Sequence, residues 1–132
     1  MTATDHGWIL VVEDDEDASF ILKSRLESAG YEVHAESSGA RALGYAAEHE
    51  PALVVLDVRL PDLGGYEVCE ELRKFDHCAE VPVVMFSVMD EPVDRERGFE
   101  HGADAYLPKS CGLSRLLHTI AQLLSPAPAA VA

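Results

Sequence analysis

Five stretches of the chain are apolar with few interruptions. Three are strong: "WILVV" (8–12), "ALVVL" (52–56) and "VPVVMF" (81–86); two are weaker: "YEVHAE" (31–36) and "ADAYL" (103–107). None alternates strictly between apolar and polar, so each predicts a strand covered on both faces rather than one with a wet side. Between them lie segments with helical spacing. Ala18, Ile21, Leu22, Leu26 and Ala29 fall on one stripe, and Leu113, Leu116, Leu117, Ile120 and Leu124 on another. Gly30 stands where the first helix needs a stop, just before the run that opens at Tyr31. Strands buried on both faces and separated by helices predict an α/β domain of five strand–helix units. Its sheet is parallel and doubly wound, with helices on each side and right-handed connections.

Composition narrows this picture without changing it. With 132 residues there is room for one domain of ordinary size, and 48% hydrophobic with 26% charged residues is globular composition. The folded domain is expected over 8–124, with an N-terminal tail at 1–7 and an Ala/Pro-rich tail or linker stub, "SPAPAAVA", at 125–132. No second domain is expected after the fifth helix. A formal charge of −14 argues against direct binding to nucleic acid, which requires clustered Lys and Arg. It suits solubility, basic proteins or divalent cations instead. No apolar run approaches a membrane span, and "MTATDHGW" lacks a signal pattern, so a cytoplasmic location is expected. Cys69, Cys78 and Cys111 are odd in number and widely spaced, which predicts free thiols. The histidines do not stand at metal-finger spacing from them.

The chemistry lies at the ends of the predicted strands. In an open parallel sheet, ligands gather beyond the carboxyl ends of the strands, where strand order reverses. Strand one runs into "EDDED", opening with Glu13 and Asp14; strand three ends in Asp57, strand four in Ser87, and strand five leads to Lys109. Each residue alone has a plain structural use. Asp15 to Asp17 suit the first turn of a helix, and Asp14 alone is compatible with either role. An Asp after a strand commonly forms a turn. The joint placement on one rim is the specific signal. Three neighbouring carboxylates repel and raise one another's pKa values. A hard divalent cation removes that penalty, and Mg²⁺ favours one or two carboxylates with further oxygens. The free oxygen of Asp57 could then attack phosphorus. A cation on one side and Lys109 on the other would balance charge on the transferring group.

The motifs "ILVVEDD", "LVVLDVRLPDLGGYE", "VVMFS" and "GADAYLPKS", in this order and at these separations, resemble the receiver domain of two-component response regulators over residues 8–124. The resemblance implies a flavodoxin-like strand order 2-1-3-4-5. It implies that Asp57 is the phosphoacceptor and a metal ligand, that Asp14 is a direct Mg²⁺ ligand, and that Glu13 acts through water. Arg59 would supply a backbone carbonyl to the metal. Ser87 falls at the switch hydroxyl, Lys109 at the phosphate-pairing position, and Tyr106 at the aromatic that swings inward when Ser87 is drawn to the phosphoryl group. Implied partners are a histidine kinase or phosphotransfer protein and a downstream effector met through the fourth helix, fifth strand and fifth helix. A phosphorylation-dependent homodimer is compatible with this, and no membrane partner is implied. Such a chain catalyses its own phosphorylation and loses the group by hydrolysis, without turnover of an external substrate.

Two positions depart from the family pattern. Ser110 follows Lys109 where members usually carry a proline joined by a cis bond, and Pro108 precedes it. A cis bond to a non-proline residue costs about 2.5–4 kcal/mol, which leaves a trans bond with a reshaped loop or a strained cis one. Val88 replaces a smaller residue, narrowing the approach of a bulky donor. Arg59 and Met89 occupy positions that tune water's access to an acyl phosphate. Other readings share the same sheet. A degenerate receiver could serve as a constitutive interaction module. A flavin-binding protein would need a phosphate-cradling loop after strand one, where "EDDED" would repel phosphate. A hydrolase with an Asp nucleophile on strand one would need a capping domain.

Overall fold

The computed structural model describes residues 7–125. Five strands form one parallel sheet: β1 Trp8–Val12, β2 Glu32–Glu36, β3 Leu53–Leu56, β4 Val83–Ser87 and β5 Ala105–Pro108. Their spatial order is β2-β1-β3-β4-β5, as expected. The helices are α1 Glu16–Ser28, α2 Gly39–Glu48, α3 Gly65–Arg73, α4 Pro92–Glu100 and α5 Leu113–Leu124. The expected tails lie outside the described residues except at Gly7 and Ser125.

Alternate residues of each central strand point to opposite faces, and both faces are buried. Leu10, Val12, Val54, Leu56, Val83 and Met85 pack with Ala42 and Ala46 of α2 and with Val68, Cys69 and Leu72 of α3. Ile9, Val11, Leu53, Val55, Val84 and Phe86 pack with Leu22 and Leu26 of α1 and with Leu116 and Ile120 of α5. Full burial of one such aliphatic side chain stabilises the fold by about 1.5–3 kcal/mol. These two cores explain why the three central strands carry no polar alternation.

Strand ends differ from expectation where backbone chemistry intervenes. β4 begins at Val83 rather than 81, because Pro82 has no N–H to give the ladder, although its carbonyl still accepts from Val54. β5 starts at Ala105, since the Asp104 carboxylate is turned to the Val83 N–H and to Arg73. The α1 stripe is narrower than predicted. Leu22 and Leu26 are buried, but Ile21 is half exposed and Ala29 is the exposed C-cap. Gly30 follows that cap with φ +100°, a left-handed conformation that suits the glycine stop.

Candidate functional site at the sheet's carboxyl edge

The order reversal between β1 and β3 leaves a crevice above their carboxyl ends, and the acids converge there. The Asp57 N–H donates to the Val12 carbonyl at 3.0 Å, and the Glu13 N–H to the Glu36 carbonyl at 3.1 Å, so both backbones are held by neighbouring strands. Glu13 and Asp57 are 5% and 7% exposed, while Asp14 is exposed. One oxygen each from Glu13, Asp14 and Asp57 lie within 4.8 Å of one another, a spacing one cation could bridge. The next acids behave differently. Asp15 caps α1, accepting from the Ala18 N–H at 2.8 Å, and Glu16 and Asp17 fill its first turn, as the sequence suggested.

Lys109 closes the group. Its Nζ donates to Glu13 Oε1 at 2.5 Å and to Asp57 Oδ2 at 3.0 Å. The other Asp57 oxygen accepts from the Arg59 N–H at 3.1 Å, and Glu13 Oε2 from the Asp15 N–H at 3.1 Å. Burial pushes the Glu13 carboxyl above its ordinary range, against the pull of Lys109. Burial alone would depress the Lys109 pKa, but hydrogen bonds to Glu13 and Asp57 more than offset this and raise it. Three acids therefore face one ammonium, an anionic excess suited to a hard cation.

Lys109 reaches these partners without the proline. None of the described peptide bonds is cis, so the Lys109–Ser110 bond is trans. Residues Lys109–Cys111 instead form a 3-10 turn, and Gly112, at φ +90°, leads into α5. The loop is thus reshaped, the first of the two alternatives. Val88 is largely exposed, and Cys69, Cys78 and Cys111 carry free thiols.

Ser87 is fully buried, and its Oγ accepts from the Met89 N–H at 3.2 Å. Tyr106, 6% exposed, occupies an inward position with its hydroxyl donating to the Met89 carbonyl at 2.6 Å. Burial, and then the nearby Tyr66 hydroxyl, push its phenol far above the usual range.

Two supporting residues escaped the sequence reading. A Cβ on Gly65 would lie 2.3 Å from the Asp57 carbonyl oxygen and 2.6 Å from Val58 Cα, so α3 can begin directly beneath Asp57 only with glycine there. Asp62 leaves its own loop to accept from the Gly39 and Ala40 N–H groups at 2.9 and 2.8 Å, tying the β3–α3 loop to the start of α2. Hydrogen bonds from the Ala40, Leu63 and Gly39 N–H groups hold its carboxyl below the ordinary range. The Gly-Gly pair and the loop acid were visible, but their partners are distant in sequence.

The buried carboxylate of Asp57, at the end of a central parallel strand, is thus flanked by two more acids and an ammonium. Residues 9–121 match the model of the response regulator receiver domain. The chain belongs to that family. It is 44% identical over 101 residues to the alkaline phosphatase synthesis transcriptional regulatory protein PhoP of Bacillus subtilis, covering 76% of this chain and 41% of that protein. It is 34% identical over 116 residues to the DNA-binding dual master transcriptional regulator RpaA of Synechocystis, covering 88% of this chain and 48% of the relative. The chain therefore spans less than half the length of these relatives. Among solved structures it superimposes on the receiver domain of a sensor histidine kinase of Pseudomonas aeruginosa, determined with a magnesium ion in the active-site cleft. That match has a TM-score of 0.83 and 27% identity, and covers 89% of this chain and 97% of the other. Among the described residues no helix is long and apolar enough to cross a membrane.

Proposed function

We propose that this domain is a phosphorylation-dependent switch of a two-component phosphorelay, accepting a phosphoryl group from a histidine kinase or phosphotransfer protein onto Asp57. The observation that carries this reading is the placement of Lys109 Nζ 3.0 Å from Asp57 Oδ2, inside a trio of acids spaced for one cation. Glu13, Asp14 and Asp57 are the carboxylates suited to Mg²⁺, with Glu13 acting through water and the Arg59 carbonyl completing the set. The donors are hard oxygens, and their negative excess is what a divalent cation relieves. When bound, Mg²⁺ would neutralise charge on the transferring group.

The chain's own residues carry the rest. An Asp57 carboxylate oxygen attacks phosphorus in line, the P–N bond to the donor imidazole breaks, and its electron pair remains on the ring nitrogen, which takes up a proton. Lys109 follows the charge from the carboxylate to a phosphoryl oxygen. Ser87 gives its hydroxyl to another, releasing the Met89 N–H it now accepts from. Hydrolysis later cleaves the acyl phosphate and returns Asp57 with inorganic phosphate. Burial of Tyr106 on its Met89 bond is one of two arrangements of the face formed by α4, β5 and α5, and phosphorylation biases their populations. That face is the surface offered to an effector or a second copy of the chain.

Intact-mass measurement after incubation with acetyl phosphate and Mg²⁺ tests this. A gain of one phosphoryl group is expected, absent with a chelator and absent in Asp57→Asn. No gain in the wild type would leave the constitutive interaction module as the better account.

A further inference from the structure

The helix on the proposed output face has almost no apolar anchor of its own. In α4, "PVDRERGFE", the buried residues are Asp94 and Gly98, while Val93 and Phe99 point largely to solvent. A helix normally docks through an apolar stripe, and here the stripe is missing. Two tyrosines from neighbouring elements take its place. From β5, Tyr106 lies directly under Gly98, where an added Cβ would come within 2.7 Å of Tyr106 Cδ2 and 3.1 Å of Met85 Sδ. From α3, the buried Tyr66 donates its hydroxyl to the Asp94 carbonyl at 2.9 Å.

Two further contacts fix the Tyr66 ring. The Arg97 guanidinium sits over it, 4.7 Å from the centroid. The His101 ring is 5.3 Å away, and that imidazole reaches back to Glu70 of α3 at 3.1 Å. Asp94 is itself tied, its carboxylate accepting from the Glu91 N–H at 3.0 Å. The first turn of α4 is thereby held from inside the helix by Glu91 and from outside by Tyr66. The Tyr66 hydroxyl also neighbours that of Tyr106.

We infer that Tyr66 is a positioning residue for the switch: its hydroxyl, bonded to the Asp94 carbonyl, seats α4 over Tyr106 and favours the inward arrangement. Because α4 has no apolar stripe of its own, this hydrogen bond is one of few attachments that hold it, beside the Tyr106 contact at Gly98 and the His101–Glu70 pair. A net contribution typical of one such bond corresponds to a shift of roughly two- to tenfold in the balance between inward and outward Tyr106. The inference rests on reading Tyr106 as the switch aromatic.

The test uses the full chain labelled with 3-fluorotyrosine, whose four tyrosine signals are assigned by single replacements. In the wild type the Tyr106 fluorine should show the small solvent-isotope shift of a buried ring. In Tyr66→Phe, which keeps the ring and deletes only the hydroxyl, that shift should grow in the ligand-free chain. Affinity for beryllofluoride in the presence of Mg²⁺ should fall by roughly two- to tenfold, because the competent arrangement is less populated. Gly98→Ala leaves Tyr66 intact and should expose Tyr106 as well, establishing that the signal reports the contact between α4 and Tyr106. A Tyr106 signal that stays buried in Tyr66→Phe while Gly98→Ala moves it would overturn the inference, whatever the change in melting temperature. Failure of the wild type to bind beryllofluoride would instead contradict the proposed function, and the ligand-free spectra would still decide the role of Tyr66.

Discussion

Lys109 Nζ stands between Glu13 Oε1 and Asp57 Oδ2, at 2.5 and 3.0 Å, and is the cation that two buried carboxylates share. The ammonium is held from opposite ends of the chain, 96 residues from Glu13 and 52 from Asp57. That one relationship unites the electrostatics of the site with its chemistry.

Replacing Lys109 by Met should leave both carboxylates without a counter-charge at the bottom of the crevice. Loss of one partner of a buried pair costs about 3 kcal/mol, reduced here where the lysine meets solvent. Chemical denaturation should register that loss in the ligand-free protein, and added Mg²⁺ should restore part of it. Phosphorylation by a small donor should fall by more than tenfold even with saturating Mg²⁺, since the developing phosphoryl charge loses its ammonium.

Gly65→Ala should be far more damaging than Gly64→Ala. The first would drive a methyl into backbone atoms of Asp57 and Val58, whereas the second meets the flexible end of Glu67 at 3.4 Å and the Val58 carbonyl oxygen at an ordinary 3.8 Å. Overpacking against backbone costs about 1–3 kcal/mol. Urea denaturation of the two variants should separate them by that margin, with slower phosphorylation only in Gly65→Ala.

Asp62 gives a pH signature with a definite sign. Its folded pKa lies below the ordinary 3.8, so the stability it contributes is present above that value and lost as pH falls through the folded pKa. Asp62→Asn should therefore melt below the wild type near neutrality. The two curves should converge only in acid below pH 3.8. A gap unchanged across that range would show that the loop-to-α2 tie depends on shape rather than charge.

Ser87→Ala should separate chemistry from response. Its hydroxyl is buried and serves the Met89 N–H, whose own carbonyl receives Tyr106. Phosphorylation at Asp57 should persist in this variant, while in the fluorine spectrum Tyr106 should be more exposed than in the wild type and should stay so on adding beryllofluoride.

Much of this was legible in the sequence because the central strands are buried on both faces and carry little but Val, Leu and Ile. Asp14, Asp57, Ser87 and Lys109 could be placed on one rim because parallel strands all end on the same side. Less regular features were hidden for physical reasons. The exposure of Ile21 could not be inferred from spacing, since how much of a helix stripe is buried depends on what packs against it. The weak anchoring of α4 shows in its sequence, but which residues replace the stripe depends on Tyr66 and Tyr106, 28 and 17 residues from the carbonyls they bond. The trans bond at Ser110 was one of two open alternatives, and only the folded loop discriminated between them.

The most direct test of the central claim is a crystal structure of the chain grown with Mg²⁺ and beryllofluoride. Beryllium is predicted on an Asp57 carboxylate oxygen, with Lys109 Nζ and Ser87 Oγ on its fluorides and the metal on Asp14 and Asp57. A metal and beryllofluoride located elsewhere, or no adduct at saturating concentrations of both, would contradict it.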